Sequence, residues 1–213
     1  MLNFLCRFAC VIRNFDLLKH IYLRNIAIFA SGAGSNAQKS IDSGRHAETG
    51  RVALIVCNKP GAGVIQIAAR EGIPSLIIEK EPFFHSDTYI QLLKEQEIDL
   101  VVLAGFLWKV PANLVQAFPG RIINIHPALL PKYGGKGMYG HFVHEAVIAA
   151  GEKESGITIH FVNEKYDDGE TILQERVAIT PEDTAETVAL KVQALEHQWF
   201  PVIVERLLSG FQN

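Results

Sequence analysis

Short apolar runs that alternate with stretches of helical periodicity constrain this chain most. The runs are rich in Val, Ile and Leu and occupy residues 25–30, 51–57, 74–78, 98–105 and 121–126. The stretches between them predict helices near residues 36–43, 62–71, 86–97 and 111–117. Apolar strands separated by helices are typical of a parallel sheet with both faces covered. This part of the chain therefore predicts a doubly wound, Rossmann-like α/β fold with a mostly parallel sheet.

The pattern changes after residue 126. A loop rich in Gly and Pro at residues 127–140 precedes a predicted helix at 141–150. Two alternating runs at 156–163 and 171–179 predict an antiparallel strand pair, because alternation suits strands with one buried face. A long helix is predicted for residues 181–209.

The start of that long helix is predicted at Thr180-Pro181, since Thr suits an N-cap and Pro suits the first helical position. Val188, Val192, Leu195 and Trp199 fall on one helical face, which predicts burial of that face. We see no repeat or linker, so a single domain is expected for residues 25–213.

Residues 1–24 are expected to form an N-terminal extension whose role the sequence does not assign. The segment is apolar, but charged residues interrupt it before it reaches the roughly 18 apolar residues of a membrane span. It also lacks the compact apolar core and the small-residue cleavage site of a signal peptide. We therefore expect no membrane association.

Charge and cysteine content argue against two further classes of protein. The net charge of -3 gives no basic stripe, which argues against nucleic-acid binding. The three cysteines, Cys6, Cys10 and Cys57, form no CxxC pair. An odd number of scattered cysteines favours a reduced, cytoplasmic protein over a disulfide scaffold.

The stretch SGAGSNA (31–37) follows the first predicted strand and opens a helix. It fits the glycine pattern of dinucleotide-binding proteins, but the second strand ends without the acidic residue that binds the ribose. We therefore expect no NAD. Backbone N–H groups at a helix N-terminus bind a single phosphate well, and Ser35 and Asn36 add side-chain donors. The alternative is a tight turn in which Ser35 or Asn36 only caps the helix.

Asn124 and His126 interrupt the apolar strand at 121–126. Being two apart on a strand, their side chains share one face, at the carboxyl end where ligands bind in open parallel sheets. Asn can stabilise an oxyanion and His can exchange a proton near neutral pH. Taken singly, each residue is equally explained by burial with a backbone partner.

An acidic pair, Asp167 and Asp168, precedes a glycine, and either carboxylate could hold an imidazole protonated. The alternative is a charged turn. A metal site is not expected: among the eight His, His141 and His144 lie one helical turn apart, but no HExxH motif or cysteine pair assists them.

With these motifs in view, the chain resembles the folate-dependent phosphoribosylglycinamide formyltransferases of purine biosynthesis. The resemblance runs from about residue 25 to 208. The motifs that carry it are IAIFASGAGSN (26–36), VVLAGF (101–106), INIHPALLPKY (123–133), GITIHFVNEKYDDGETILQ (156–174) and VQALEHQWFP (192–201).

The resemblance implies an activity and two small-molecule substrates. The formyl group of 10-formyltetrahydrofolate, a cosubstrate, would pass to the amine of glycinamide ribonucleotide by direct attack. Asn124, His126 and Asp167 match the catalytic residues, with Asp167 favoured over Asp168. Asn124 and a protonated His126 would stabilise the oxyanion, while Asp167 keeps His126 charged.

The resemblance also implies binding residues. Those for the substrate phosphate are Gly34, Ser35 and Asn36. Those for the rest of that substrate are Gln193 and Glu196. Those for folate are Leu107, Trp108, Lys109, Val110, Asn124, Asn163, Glu164, Lys165, Tyr166 and Asp167.

The chain departs from the family's pattern in the loop after Tyr133, which is longer and lacks a tidy PG-x-H-x-H, so a place for His144 is left open. Ser86 and Asp87 stand where a basic residue is common, which leaves the contacts of the folate tail unassigned. A formyltetrahydrofolate hydrolase would use the same catalytic residues with water as acceptor, but would not need a phosphate turn. The expected assembly is a monomer or a homodimer.

Overall fold

One seven-stranded sheet forms the centre of the computed structural model, which describes residues 23–45 and 47–210. In chain order its strands are β1 (Arg24–Ala30), β2 (Gly50–Cys57), β3 (Ser75–Ile77), β4 (Ile98–Leu103), β5 (Ile122–His126), β6 (Glu154–Phe161) and β7 (Thr171–Ala178). Their order across the sheet is β3-β2-β1-β4-β5-β6-β7.

Helices cover both faces of this sheet. They are α1 (Ser35–Gly44), α2 (Gly63–Glu71), α3 (Lys80–His85), α4 (Thr88–Glu95), α5 (Ala112–Ala117), α6 (His141–Ala149) and α7 (Ala185–Gly210). Strands β3, β2, β1, β4 and β5 run parallel, whereas β6 pairs antiparallel with both β5 and β7. The predicted doubly wound fold with an antiparallel strand pair is confirmed.

Alternate residues of the central strands feed two separate cores. On one face, Ile28 and Ile125 pack in a cluster that also contains Val192 and Phe200 of α7. On the other face, Phe29 packs with residues of α3, α4 and α5. Because successive side chains of a strand point to opposite faces, continuous apolar runs are what a sheet covered on both sides requires.

The start of α7 differs from the predicted one. The helix begins at Ala185, and Thr184 and Thr187 exchange hydrogen bonds between backbone N–H and side-chain oxygen, in the manner of a capping box. Thr180 instead belongs to the preceding turn, where its backbone N–H donates to Asp183 at 2.8 Å. The predicted start at Thr180-Pro181 is wrong, since residues 181–184 are not helical and the Thr180 hydroxyl donates to Asp183 at 3.2 Å instead of accepting from a helix N–H.

Two further boundaries need correction. The predicted helix at 86–97 is α4 alone, and the short helix α3, with Pro82 in its first turn, precedes it unpredicted. Strand β1 begins at Arg24, which was assigned to the extension, and the guanidinium of Arg24 lies 3.2 Å from the carboxylate of Asp99. Residues 1–22, with Cys6 and Cys10, lie outside the described residues.

The predictions of reduced cysteines and of no membrane association can be compared with the described residues. Cys57 is buried as a free thiol. Among residues 23–45 and 47–210, none of the helices has the length and apolarity needed to cross a membrane.

Candidate active site

A cavity of about 800 Å³ opens at the carboxyl ends of β1, β4 and β5. The strand order reverses between β1 and β4, so this is the switch point at which open α/β sheets bind ligands. The β1–α1 turn, the loop after β4, the end of β5 and one side of α7 line the cavity.

The glycine turn lies at one end of the cavity. Gly34 adopts a left-handed conformation with φ 82°, and a Cβ there would approach Val64 to 2.9 Å. No side chain caps α1 by a hydrogen bond, so the capping alternative for Ser35 and Asn36 does not hold in this arrangement. Both residues line the cavity instead.

Helix α7 brings the predicted substrate residues to the same turn. The Asn36 amide donates to the Glu196 carboxylate at 2.9 Å, and the Gln193 amide donates to the Ser35 hydroxyl at 3.4 Å. Burial raises the pKa of the Glu196 carboxyl, and the hydrogen bond from Asn36 partly opposes this shift. Residues far apart in sequence thus form one polar end of the cavity.

Asn124 faces the middle of the cavity from β5. Its Nδ2 lies 3.2 Å from Nε2 of His160, which is its antiparallel partner on β6. Because Nδ1 of His160 donates to the Phe161 carbonyl at 2.8 Å, Nε2 is free to accept from Asn124. The amide is thereby oriented with its donor group toward Asp167, at a long 3.5 Å.

His126 is held between a carbonyl and a carboxylate. Its Nε2 donates to the Tyr133 carbonyl at 2.7 Å, and its Nδ1 lies 3.7 Å from Oδ2 of Asp167. Burial lowers the pKa of His126, and the Asp167 charge and the Tyr133 carbonyl only partly oppose this. The expectation that Asp167 keeps the ring charged stays a prediction, because the carboxylate favours the imidazolium while desolvation disfavours it.

The turn between β6 and β7 presents Asp167 rather than Asp168. Asp167 has a positive φ of 49° and accepts from the Gly135 backbone N–H at 2.8 Å. Burial would raise the pKa of its carboxyl, but His160, His126 and the Gly135 N–H together lower it. Asp168 is exposed and lies 3.4 Å from Lys165, so the structure favours Asp167 as the predicted acid.

The loop after β5 is pinned so that the Tyr133 carbonyl meets His126. The Thr158 hydroxyl donates to the Ala128 carbonyl at 2.7 Å and accepts from the Leu130 backbone N–H at 3.0 Å. Gln174 of β7 donates to the Leu130 carbonyl at 2.8 Å. The antiparallel strands therefore position this loop as well as His160.

Sequence reasoning missed some groups of the site. His160 was read only as part of a strand, although its alternation with Thr158 places both on the side that faces the loop after β5. His144, whose place was left open, is buried, lines the cavity, and has an Nδ1 without a hydrogen-bond partner among the described residues. Burial lowers the pKa of His144, and the nearby His126 and His141 act in the same direction.

The other end of the cavity carries the predicted folate residues. Leu107, Trp108, Lys109 and Val110 line it from the loop after β4, and Asn163, Lys165 and Tyr166 line it from the β6–β7 turn. Trp108 is backed by Phe83 and Phe84 of α3, with ring centroids 5.6 and 5.7 Å away. Glu164 is the exception, since it is exposed outside the cavity lining and accepts from Gln116 at 3.0 Å.

Within the part of the chain that the structure describes, no group of three or more His, Cys, Asp or Glu side chains could hold a metal ion. His141 and His144 both lie on α6, and none of the described residues joins them as a further ligand of that kind.

The electrostatic pairing of His126 and Asp167 leads to a first prediction. The Asp167 charge raises the pKa of His126 against the effect of burial. We therefore expect Asp167→Asn to lower the His126 pKa further, as followed by NMR titration of the imidazole signals. The matched change Asp168→Asn removes the same charge from an exposed residue and should leave that titration unchanged. A His126 pKa that stays constant or rises in Asp167→Asn would contradict the expectation.

Comparison with known proteins places these features in a family. The sequence pattern of the formyl transferase domain matches residues 24–204. The chain is 43% identical to the chloroplastic phosphoribosylglycinamide formyltransferase of Arabidopsis thaliana over 187 residues, which is 85% of this chain and 64% of that protein. For the Vigna unguiculata protein of the same name the share is 61%, so the chain spans less than two thirds of these plant relatives.

Bacterial relatives match over most of their length. The phosphoribosylglycinamide formyltransferase of Bacillus subtilis is 37% identical over 196 residues, covering 90% of this chain and 97% of that protein. The crystal structure of the Bacillus halodurans enzyme of that name superposes with a TM-score of 0.80 at 40% identity, covering 89% of this chain and 98% of the other. The same domain pattern, sequence likeness and three-dimensional fold thus agree: this chain belongs to the formyl transferase family.

Proposed function

We propose that the chain transfers the formyl group of 10-formyltetrahydrofolate to the amine of 5'-phosphoribosylglycinamide, a step of purine biosynthesis. One observation carries this proposal. A glycine turn suited to a phosphate and the group formed by Asn124, His126 and Asp167 open into one cavity, together with an apolar end. A cavity of about 800 Å³ falls within the range of sites for molecules of this size.

The nucleotide would lie at the polar end. The N-terminus of α1 offers backbone N–H groups to the phosphate, and Ser35 adds a hydroxyl. Glu196 and Gln193 on α7 lie beside this turn and would contact the remainder of the acceptor. The acceptor amine would then point toward Asn124.

The folate would lie at the apolar end. Trp108 and Val110 supply apolar surface for a flat ring system, and Asn163 supplies polar atoms at its edge. The side chains of Leu107 and Tyr166 are half exposed, at 50% and 44%, which leaves apolar surface free for a ligand. Glu164 does not belong to this set, because it is not among the residues that line the cavity.

The reaction would proceed without a covalent enzyme intermediate. The acceptor amine attacks the formyl carbon, and the carbonyl oxygen becomes an oxyanion in a tetrahedral intermediate. The Asn124 amide can donate to that oxygen at little cost, since its 3.5 Å contact with Asp167 is weak. Collapse of the intermediate breaks the bond to the folate nitrogen, which takes up a proton as the amine loses one.

His126 and Asp167 would handle that proton. Burial lowers the pKa of His126, so the neutral ring is available to accept a proton as the amine becomes cationic. Asp167 lies 3.7 Å from both His126 and His160 and would stabilise the imidazolium when it forms. In that state His126 becomes a second donor to the oxyanion.

The proposal is tested by measuring tetrahydrofolate release from 10-formyltetrahydrofolate with and without glycinamide ribonucleotide. We expect release only when the nucleotide is present, because its amine is the group that attacks the formyl carbon and its phosphate holds it at the glycine turn. A Ser35→Ala variant should raise the KM for the nucleotide and leave the KM for the formyl donor unchanged. Equal release without the nucleotide would instead identify a formyltetrahydrofolate hydrolase.

The cytoplasmic location and the monomeric or homodimeric state remain predictions from the sequence. The same holds for an extension over residues 1–24 and a single domain over residues 25–213, although strand β1 begins at Arg24.

A further inference from the structure

A tyrosine outside the large cavity is hydrogen-bonded through both its backbone and its side chain. The Tyr133 carbonyl accepts from Nε2 of His126 at 2.7 Å, and the Tyr133 hydroxyl donates to Oε1 of Glu152 at 2.9 Å. Neither Tyr133 nor Glu152 lines the large cavity, and both line a second cavity of about 210 Å³ that shares no residue with it. Tyr133 thus connects His126 to a carboxylate that a ligand in the large cavity would not touch.

Glu152 is a well-held acceptor for that hydroxyl. It follows α6, and its backbone N–H donates to the Val147 carbonyl at 3.3 Å, which ties it to the end of that helix. The Lys132 ammonium donates to the same carboxylate oxygen at 2.8 Å. Hydrogen bonds from Lys132 and Tyr133 lower the pKa of the Glu152 carboxyl, so it is ionised at neutral pH. An ionised acceptor makes a stronger hydrogen bond with a hydroxyl than a neutral one does.

The backbone at Tyr133 has a conformation that needs such support. Its φ is 56°, in the left-handed region that residues other than glycine rarely adopt. A conformation of this kind persists only where the surrounding contacts hold it. The ring of Tyr133 packs against the apolar cluster of Ala128, Val143 and Val147. The hydroxyl adds a directional contact with Glu152, which apolar packing cannot supply.

The two residues after Tyr133 contact the carboxylate that faces His126. A Cβ on Gly134 would approach the Asp167 Cβ to 3.2 Å, and the Gly135 backbone N–H donates to Asp167 at 2.8 Å. Residues 133–135 therefore hold His126 by a carbonyl and Asp167 by an N–H. A shift of this segment would move both groups and change the 3.7 Å separation between them.

The Tyr133 carbonyl also decides which ring nitrogen of His126 carries the proton. Because Nε2 donates to that carbonyl, Nδ1 of the neutral ring is the acceptor, and it lies 3.7 Å from Oδ2 of Asp167. Burial lowers the pKa of His126, and the Tyr133 carbonyl opposes this shift together with Asp167. The position of the carbonyl therefore affects both where the ring accepts a proton and how strongly it holds one.

We propose that Tyr133 and Glu152 are positioning residues for formyl transfer, which act through the Tyr133 carbonyl on His126. This inference rests on the proposed function and extends it to two residues that would touch neither substrate. Loss of the hydrogen bond between Tyr133 and Glu152 loosens residues 133–135 and misaligns the groups that handle the proton. Binding of both substrates stays intact, because their contacts lie inside the large cavity.

Tyr133→Phe removes the hydroxyl and keeps the ring that packs near α6. A misplacement of about 1 Å can cost about 10²-fold in rate, and the smaller shift expected here should lower kcat about tenfold with both KM values unchanged. Weakening of the carbonyl's hydrogen bond should also lower the pKa of His126, as followed by NMR titration. Tyr89→Phe removes a hydroxyl from α4 outside the large cavity and should leave both quantities unchanged. An unchanged kcat or an unchanged His126 pKa in folded Tyr133→Phe would overturn the inference.

Two changes at Glu152 separate the hydrogen bond from the charge. Glu152→Gln removes the charge but keeps an oxygen that can accept from Tyr133, whereas Glu152→Ala removes both. We expect Glu152→Gln to retain most of the wild-type kcat and the His126 pKa, and Glu152→Ala to match Tyr133→Phe. In the variant that combines Tyr133→Phe with Glu152→Ala, the two losses should not add. A Glu152→Gln variant as slow as Glu152→Ala, or a Glu152→Ala variant as fast as the wild type, would overturn the inference.

The titration of His126 separates this inference from the proposed activity, because it needs no substrate. A His126 pKa that falls in both Tyr133→Phe and Glu152→Ala, in a protein that transfers no formyl group, would support the positioning role and count against the proposed function alone. Formyl transfer by the wild type together with an unchanged His126 pKa in both variants would count against the inference alone.

Discussion

Asn124→Ala is expected to lower kcat for formyl transfer by about 10²–10³-fold, the usual cost of losing one oxyanion donor. Asn124 presents its donor group to the middle of the cavity because His160 accepts from the same amide at 3.2 Å. Alanine leaves the oxyanion without this donor. The change removes a half-buried side chain at the end of β5, so we expect the fold to persist, as circular dichroism would check.

The matched control is Asn113→Ala, which removes the same amide from α5 outside the cavity. Asn113 donates to Asp87 at 2.8 Å on the surface, and its loss should leave kcat close to that of the wild type. A kcat for Asn124→Ala within about threefold of the wild type, in folded protein, would refute the role proposed for this residue, since an oxyanion donor contributes far more.

His126→Ala should lower kcat by a similar factor. The double variant should lose less activation free energy than the two single variants lose in total. The effects of substituting two residues that act on one intermediate are not additive. Once one residue is absent, the other acts on a reaction that has already been slowed. Single-turnover rates of both single variants and the double variant would measure this. Full additivity would indicate that the two side chains act in different steps.

Gly156→Ala is expected to destabilise the protein by about 3 kcal/mol, at the upper end of the cost of overpacking a core. A Cβ on Gly156 would overlap the Glu175 carbonyl oxygen on β7 and approach the Leu129 side chain to 2.7 Å. The backbone of β7 cannot yield without loss of its pairing with β6. The free energy of unfolding in urea measures this effect.

Gly44→Ala provides the control for that stability measurement. Gly44 is the last residue of α1, and the nearest atom to an added Cβ is the Gly50 carbonyl at 3.8 Å, an ordinary contact. Alanine there should be neutral or slightly stabilising, since it favours the helical conformation over that of the unfolded chain. An unfolding free energy for Gly156→Ala equal to that of the control would contradict the close packing of β6 on β7.

Local pattern was sufficient to predict most of the sheet. The apolar residues of β1, β4 and β5 are buried in the structure, and the composition of these runs alone indicates strands covered on both faces. The start of α7 was not predictable in this way. Thr180 meets every local criterion for an N-cap, but its hydroxyl donates to Asp183, three residues on, and the helix begins only at Ala185.

For the candidate site, the sequence placed Asn124 and His126 on one side of a strand, and strand geometry requires this. It did not show that His160 stands opposite Asn124, since that depends on the pairing of β5 with β6 across an intervening helix. The choice between Asp167 and Asp168 likewise required the turn geometry. The two side chains are the same, and only the backbone of the turn decides which one faces the cavity. Nor did local sequence show that burial would lower the His126 pKa.

The antiparallel pairing of β5 with β6 has a consequence for how this protein regains activity after denaturation. Asn124 is aligned with His160 and His126 with Thr158, so a slip of one residue would bring Ile159 or Phe161 opposite Asn124. Such a species could still contain a sheet, yet its amide would have no acceptor to orient it. Recovered turnover after refolding would therefore report alignment of these two strands, whereas circular dichroism would report only that strands had formed.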